Sequence, residues 1–154
     1  MTNKWTPIVP DTFLVPEVLE TDQYRIRKLT VNDVKNDYEA VMSSQKNLRG
    51  VFGDLMPNWP DENLTYEEDL SNLGWHQTEF SMHTSFAYTV SSLDEKSCIG
   101  CVYIFPSRGD DYEVEVYLWV RDSHRNLDSH LYDTVKSWLV ESWPFKRIIY
   151  PGRI

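Results

Sequence analysis

The stretch from Tyr112 to Val140, YEVEVYLWVRDSHRNLDSHLYDTVKSWLV, decides how the rest of the chain is interpreted. Between residues 113 and 120 an aliphatic side chain recurs at every second position, which is the period of a β-strand. After Asn126 the period changes, and a single helical stripe follows, formed by Leu127, Leu131, Val135, Trp138 and Leu139. The stretch therefore predicts a strand, a polar turn and an amphipathic helix that ends at Trp143-Pro144.

The polar turn, residues 121 to 127, leads directly into the start of the predicted helix. The first amides of a helix have no intrahelical partners and carry the positive end of the helix dipole, so they commonly bind phosphate. This geometry predicts an anion site at the start of the helix.

Residues 125 to 130, Arg-Asn-Leu-Asp-Ser-His, resemble the signature of the GCN5-related N-acetyltransferases (GNAT). In that family a strand and a polar turn lead to Gln/Arg-x-x-Gly-x-Gly/Ala at a helix start. Arg125 fits the signature, whereas Asp128 and His130 stand at the two glycine positions. The family's glycines let the backbone approach the pyrophosphate of acetyl-CoA. A carboxylate at Asp128 is expected to satisfy the helix amides itself and to repel a phosphate.

A second stretch, Leu19 to Val34, is similar to the opening of many of these acetyltransferases, where a strand rich in Arg and Leu precedes an Asp-containing helix start. The resemblance covers residues 19 to 150 and implies an α/β fold, with a mixed, mostly antiparallel central sheet flanked by helices. After the predicted last strand, residues 146 to 150, only four residues follow. We therefore expect a shortened bacterial branch of the family that lacks the usual C-terminal helix and last two strands.

Composition and length predict one domain over residues 1–154, in which residues 1–20, with three prolines, form an irregular arm. The formal net charge of -9 disfavours binding to nucleic acid or to an anionic membrane. We see no signal peptide and no membrane-spanning window, so a cytoplasmic location is expected. An incomplete sheet would leave an open edge at which a homodimer could pair.

Cys98 and Cys101 lie in a segment that is predicted to be a strand. Because side chains alternate along a regular strand, an odd separation points the two thiols to opposite faces. We therefore expect no metal site and no redox pair at these positions.

The resemblance implies a site for acetyl-CoA. Leu118, Trp119 and Val120 would bind the pantetheine arm through backbone groups, and Arg121 and Arg125 are the available cations, unless each pairs with a surface acid. The pyrophosphate would meet the residues of the turn and helix start, namely Arg125, Asn126, Leu127, Asp128, Ser129 and His130.

A carboxylate on the central strand often serves as the general base in the family. Glu113 and Glu115 are the candidates here, although the family's usual position falls on Val114 and the alternative is an acid at a solvent-facing strand position. Thr30-Val31-Asn32-Asp33 and Thr65-Tyr66-Glu67-Glu68 are capping patterns that predict two helix starts. His76 and Glu79 share one face of the predicted helix that begins at Thr65. They are either a polar pair at a helix end or contacts to the acceptor.

Two functions follow from the resemblance. The first is transfer of an acetyl group from acetyl-CoA to an amine of a small molecule or peptide. The second is a non-catalytic relative whose aromatic cleft binds another ligand or a protein, with Asp128 filling the anion site internally.

Overall fold

A six-stranded sheet with the strand order β1-β2-β3-β4-β5-β6 organises residues 6 to 153, the part of the chain that the computed structural model describes. The strands are β1 (Val18–Glu20), β2 (Arg25–Lys28), β3 (Phe86–Ser91), β4 (Cys98–Pro106), β5 (Val114–Val120) and β6 (Ile148–Ile149). All neighbouring pairs are antiparallel except β5 and β6, which are parallel. The prediction of an α/β fold with a mostly antiparallel sheet is confirmed.

The helices cover both faces of the sheet. They are α1 (Val34–Ser43), α2 (Gln45–Leu48), α3 (Tyr66–Met82) and α4 (Asp128–Ser142). Helix α4 packs its apolar stripe against Val114, Val116 and Leu118 of β5, whereas α1 and α3 pack on the side that carries Tyr117 and Trp119. Because both faces are covered, every residue of β5 is buried.

The helix starts follow the predicted capping signals. At α3 the Thr65 hydroxyl accepts from the Glu68 amide at 3.1 Å, and the Glu68 carboxylate accepts from the Thr65 amide at 2.9 Å. Asp33 likewise accepts from the Thr30 amide at 2.9 Å, at the start of a short 3₁₀ turn, Val31–Asp33, that precedes α1. Helix α3 ends at Met82, and the next residue, His83, has a left-handed φ of 62°.

The N-terminal arm is less irregular than expected. Residues 6 to 17 contain no helix or strand, but β1 follows at Val18 and pairs with β2. Trp5, which belongs to the predicted arm, lies outside the described residues. Within residues 6 to 153, no helix combines the length and the apolar character that a membrane crossing requires.

A β-bulge in β4 places the Cys98 and Cys101 side chains on the same face of the sheet, although they were predicted to lie on opposite faces. Val90 pairs with Gly100, but the next residue of β3, Ser91, pairs with Cys98, so Ile99 is an extra residue. The insertion shifts the alternation by one, and Cys98 therefore packs in the same core cluster as Cys101, on the side of α1 and α3. The bulge also explains Gly100, because a Cβ there would lie 1.9 Å from the Trp119 carbonyl oxygen.

Candidate functional site

The end of β5 borders a cleft because its parallel partner stops early. β6 pairs only with Val114 and Glu115, so the strands separate beyond Glu115 and the backbone of Leu118 to Val120 has no strand on that edge. A cavity of about 420 Å³ adjoins this edge and the first turn of α4. This is where the resemblance implied that acetyl-CoA would bind.

The cleft contains a cation that the sequence motif does not include, Arg153. Its guanidinium donates to both carboxylate oxygens of Asp128, at 2.7 and 2.9 Å, and to the Leu118 carbonyl at 3.2 Å. It also lies over the Tyr132 ring, 5.2 Å from the centroid. A cation of the chain itself is thus bound beside the predicted phosphate position.

The start of α4 differs from an open phosphate-binding turn. Residues Asp122–Leu127 form a 3₁₀ helix that runs into α4, and the Asp128 amide donates to the Arg125 carbonyl. The Asp128 carboxylate was expected to cap the helix amides, but it accepts hydrogen bonds from Arg153 instead. Both the amide and the carboxylate of Asp128 are therefore engaged within the chain.

The structure brings only some of the predicted cofactor residues to the cleft. Leu118, Trp119, Val120, Arg125, Asp128 and Ser129 line it. Arg121 instead forms a bidentate ion pair with Glu39 of α1, at 2.7 and 2.6 Å. His130 lies on another side of α4, where its Nδ1 is 2.6 Å from the Tyr24 hydroxyl. Asn126 and Leu127 are not among the cleft residues.

A second and larger cavity, of about 970 Å³, lies at the opposite end of β5, between the last turn of α3 and the loop after β4. The side chains that give it chemical character are His76, Glu79, Phe105, Arg108 and Glu115. It combines an aromatic wall with titratable groups, which is the usual composition of a small-molecule site.

Glu115 lines this cavity, but both of its carboxylate oxygens accept hydrogen bonds from other residues of the chain. Its carboxylate accepts from the Arg108 amide at 2.8 Å, from the Arg108 guanidinium twice at 3.1 Å, and from the Tyr117 hydroxyl at 2.8 Å. Burial raises the pKa of Glu115, but the Arg108 and Tyr117 hydrogen bonds outweigh burial and hold the pKa below its ordinary value. A carboxylate in this state is a weak base.

Glu113, the other predicted base, has a structural partner. Its carboxylate accepts from the Lys146 and Arg147 amides at 2.6 and 2.7 Å, just before β6. The Arg147 amide is the main reason that the pKa of Glu113 is lowered. Glu113 does not line the large cavity.

His76 is an ionisable group of the cavity that has a ring nitrogen without a hydrogen-bond partner among the described residues. It packs against Tyr103 and Phe105, with ring centroids 5.5 and 6.3 Å away, and its Nδ1 is buried with no hydrogen-bond partner within residues 6 to 153. Burial lowers the pKa of His76, and the charge of Glu79 opposes this shift only in part. Burial therefore favours the neutral imidazole. The i, i+3 spacing of His76 and Glu79 in α3 was the sequence signal for this pair.

Comparisons with known proteins support the fold through structure alone. No family model and no curated protein matches the sequence. Among solved structures, the chain is similar to a protein described as a GnaT-family acetyltransferase from Bordetella pertussis, with a TM-score of 0.61 and 14% identity over 86% of this chain and 77% of that one. It is also similar to the ribosomal-protein-S5-alanine acetyltransferase from Vibrio fischeri, with a TM-score of 0.60 and 16% identity over 80% and 67%.

A third similar structure is the microcin C7 self-immunity acetyltransferase MccE in complex with acetyl-CoA and AMP, with a TM-score of 0.62 and 10% identity over 85% of this chain and 69% of that one. Together these similarities show that the chain has the GNAT-like fold. At such identities they show the fold alone.

The cleft fits the two parts of acetyl-CoA unequally. The edge of β5 left free by β6 offers backbone groups to an extended pantetheine arm. The phosphate end does not fit the arrangement observed, because the Asp128 carboxylate and the Arg153 side chain occupy that end of the cleft.

Proposed function

We propose that the chain is an N-acetyltransferase that uses acetyl-CoA and acts on an amine. The observation that carries the proposal is the separation of β5 from β6 directly after Glu115. It exposes the backbone of β5 on one side, while the cavity that contains His76 opens at the other end of the same strand.

The proposed roles belong to residues of the chain. Acetyl-CoA would supply an acetyl group activated as a thioester. The neutral His76 imidazole accepts the proton that an amine must lose when it is acylated, which a protonated imidazole could not do. Arg108 and Tyr117 hold Glu115 and thereby fix the wall of the acceptor cavity.

The acceptor that suits the cavity is an amine of a small molecule or of a peptide terminus. The Glu79 carboxylate lines the cavity, and the chain carries a net charge of -9, so an ammonium group is attracted to it. The aromatic wall of Phe105 and His76 can pack against the apolar part of the acceptor.

A specific observation favours a second candidate function. The Arg153–Asp128 pair fills the phosphate end of the cleft with groups of the chain itself. A non-catalytic domain that binds a different ligand in the aromatic cavity would show this arrangement. Such a domain has no affinity for acetyl-CoA but retains binding in the cavity.

Calorimetric titration with acetyl-CoA, followed by an amine screen that measures thiol release, separates the two candidates. The acetyltransferase proposal predicts binding and an amine-dependent release of thiol that falls by about 10²- to 10⁴-fold in His76→Ala. The matched control is His83→Asn, because asparagine tolerates the left-handed backbone of that residue. An absence of acetyl-CoA binding by the wild type would refute the proposal, and binding gained in Asp128→Gly would then show that Asp128 closes the site.

A further inference from the structure

The bulge in β4 assembles a buried cluster of potential metal ligands that no part of the proposed reaction uses. Asp37 of α1 faces Cys98 and Cys101 of β4, and one carboxylate oxygen and the two sulfur atoms all lie within 4.8 Å of one another. The three residues are 4%, 2% and 0% exposed. The Cys101 thiol donates to Asp37 Oδ1 at 3.4 Å.

The cluster is acidic, and a fourth acid adjoins it. Asp69 of α3 is 2% exposed, lines the same small cavity as Asp37, and has a buried oxygen, Oδ2, without a hydrogen-bond partner within residues 6 to 153. Among the described residues, no basic side chain forms an ion pair with either aspartate.

An uncompensated group of buried acids is unusual, because such groups are normally paired, neutralised by protons or bound to a metal. Here the Cys101 thiol donates to one oxygen of Asp37, whereas one oxygen of Asp69 has no partner within residues 6 to 153. A cavity of about 240 Å³ lies against Asp37 and Asp69 and would give an ion or a water access to the carboxylates.

We propose that Cys98, Cys101 and Asp37 bind one thiophilic divalent cation of the Zn²⁺ type, and that Asp69 positions the Asp37 carboxylate. Two thiolates and one carboxylate form a donor set that selects zinc over magnesium or calcium. Tetrahedral geometry leaves a fourth position for a water from the adjoining cavity.

Metal binding at this cluster displaces protons, because a thiol must lose its proton to become a thiolate ligand. The protons that the cation displaces from the Cys98 and Cys101 thiols leave to solvent. No electron is transferred. The affinity therefore rises with pH. Because the ligands come from α1 and β4, the ion also links a helix to the sheet and stabilises the folded chain.

The test uses Co²⁺ as a spectroscopic substitute for Zn²⁺. The purified chain is freed of metal with a chelator under reducing conditions, unfolded, and refolded with increasing Co²⁺ so that slow entry into the core does not limit binding. The expected result is one Co²⁺ per chain, with thiolate-to-cobalt charge-transfer absorption and the intense visible bands of a tetrahedral site.

Variants separate this cluster from surface binding. Cys98→Ala combined with Cys101→Ala removes the charge-transfer absorption. Asp69→Asn weakens Co²⁺ binding by about 10- to 100-fold, as expected for a residue that positions a ligand. Asp133→Asn, which removes an exposed acid of α4, on the other face of the sheet, leaves binding unchanged.

Either of two results would overturn the proposal. One is folded, reduced wild-type protein without charge-transfer absorption at a tenfold excess of Co²⁺. The other is unchanged binding in the double alanine variant. If that variant does not fold, Asp37→Asn is used to test the proposal, because it preserves side-chain size. Undiminished Co²⁺ affinity in Asp37→Asn refutes the site, and a loss of affinity of at least tenfold supports it.

Discussion

Replacement of Asp128 tests whether the phosphate end of the cleft is closed by its own charge. In the wild type, the Asp128 carboxylate holds Arg153 through two hydrogen bonds of 2.7 and 2.9 Å. Asp128→Gly removes the carboxylate, frees the guanidinium and restores the residue type that the GNAT signature has at this position. We expect acetyl-CoA to bind the variant more tightly than the wild type.

The size of the effect follows from two contributions. Two unit charges about 4 Å apart interact by about 1 kcal/mol in water and by about 4 kcal/mol at an effective dielectric constant of 20. The Asp128 side chain is 36% exposed, so its repulsion of a phosphate lies toward the lower end of that range. Release of a partly exposed ion pair adds up to about 1 kcal/mol. A total of about 1.4 to 2.8 kcal/mol corresponds to a 10- to 100-fold gain in affinity.

Calorimetric titration at low ionic strength measures this gain, and three further variants define its origin. Asp128→Asn removes the charge but keeps the side chain, so it should give most of the gain. Asp133→Asn makes the same change in net charge at an exposed position of α4 and should give none. Asp128→Gly combined with Arg153→Ala should lose part of the gain, because the freed cation is then missing. Equal affinities in Asp128→Gly, Asp128→Asn and Asp133→Asn would refute the reasoning.

Three other perturbations test the remaining interpretation. If the chain is an active enzyme, the acid limb of its kcat/KM profile should report a pKa below the ordinary histidine value of about 6.5, because burial lowers the pKa of His76. An acid limb with a pKa above that value would exclude His76 as the base. Arg108→Met should lower the free energy of unfolding by about 1 to 3 kcal/mol, since buried Glu115 loses its charged donor. The pKa of Glu115 is lowered in the folded chain, so the ion pair stabilises the fold above the unfolded pKa of about 4.3, and this stabilisation is lost as the pH falls through the folded pKa. Urea titrations should therefore show a larger destabilisation by Arg108→Met at pH 7 than at pH 3. An equal destabilisation at both pH values would contradict the ion-pair explanation. Gly100→Ala should destabilise the fold by at least about 3 kcal/mol, because the new Cβ would overlap the Trp119 carbonyl. The control is Gly109→Ala, where a Cβ meets nothing within 4 Å. It should change the free energy of unfolding by less than about 0.5 kcal/mol in the same urea titration.

The strand, turn and helix between Tyr112 and Val140 could be predicted because each element has its own hydrophobic period. The alternation along β5 corresponds to two buried faces, and the stripe along α4 is the surface that packs on the sheet. Capping residues located the starts of α1 and α3 for a similar reason, since side-chain oxygens bind nearby amides of the same segment. These are local interactions, and local sequence records them.

The features that were missed depend on contacts between distant segments. The bulge at Ile99 arises from the register of β4 against β3, and no local pattern in β4 distinguishes it from a regular strand. Arg153 is 25 residues from Asp128 in sequence, and the GNAT signature contains no position for it. Glu113 and Glu115 were correctly placed on or beside β5, but their partners, the amides before β6 and Arg108, could not be inferred from that strand.

The length of β6 determines whether the cleft and the acceptor cavity can act together. Glu115 faces the cavity and is also the last residue of β5 that pairs with β6. The carbonyl of Leu118, three residues further along β5, accepts a hydrogen bond from Arg153 in the cleft. A pantetheine arm that binds the free backbone edge of β5 would compete with Arg153 for the Leu118 carbonyl. The proposed acyl transfer would therefore require Arg153 to give up this carbonyl, whereas a domain that only binds a ligand in the cavity can keep the hydrogen bond throughout.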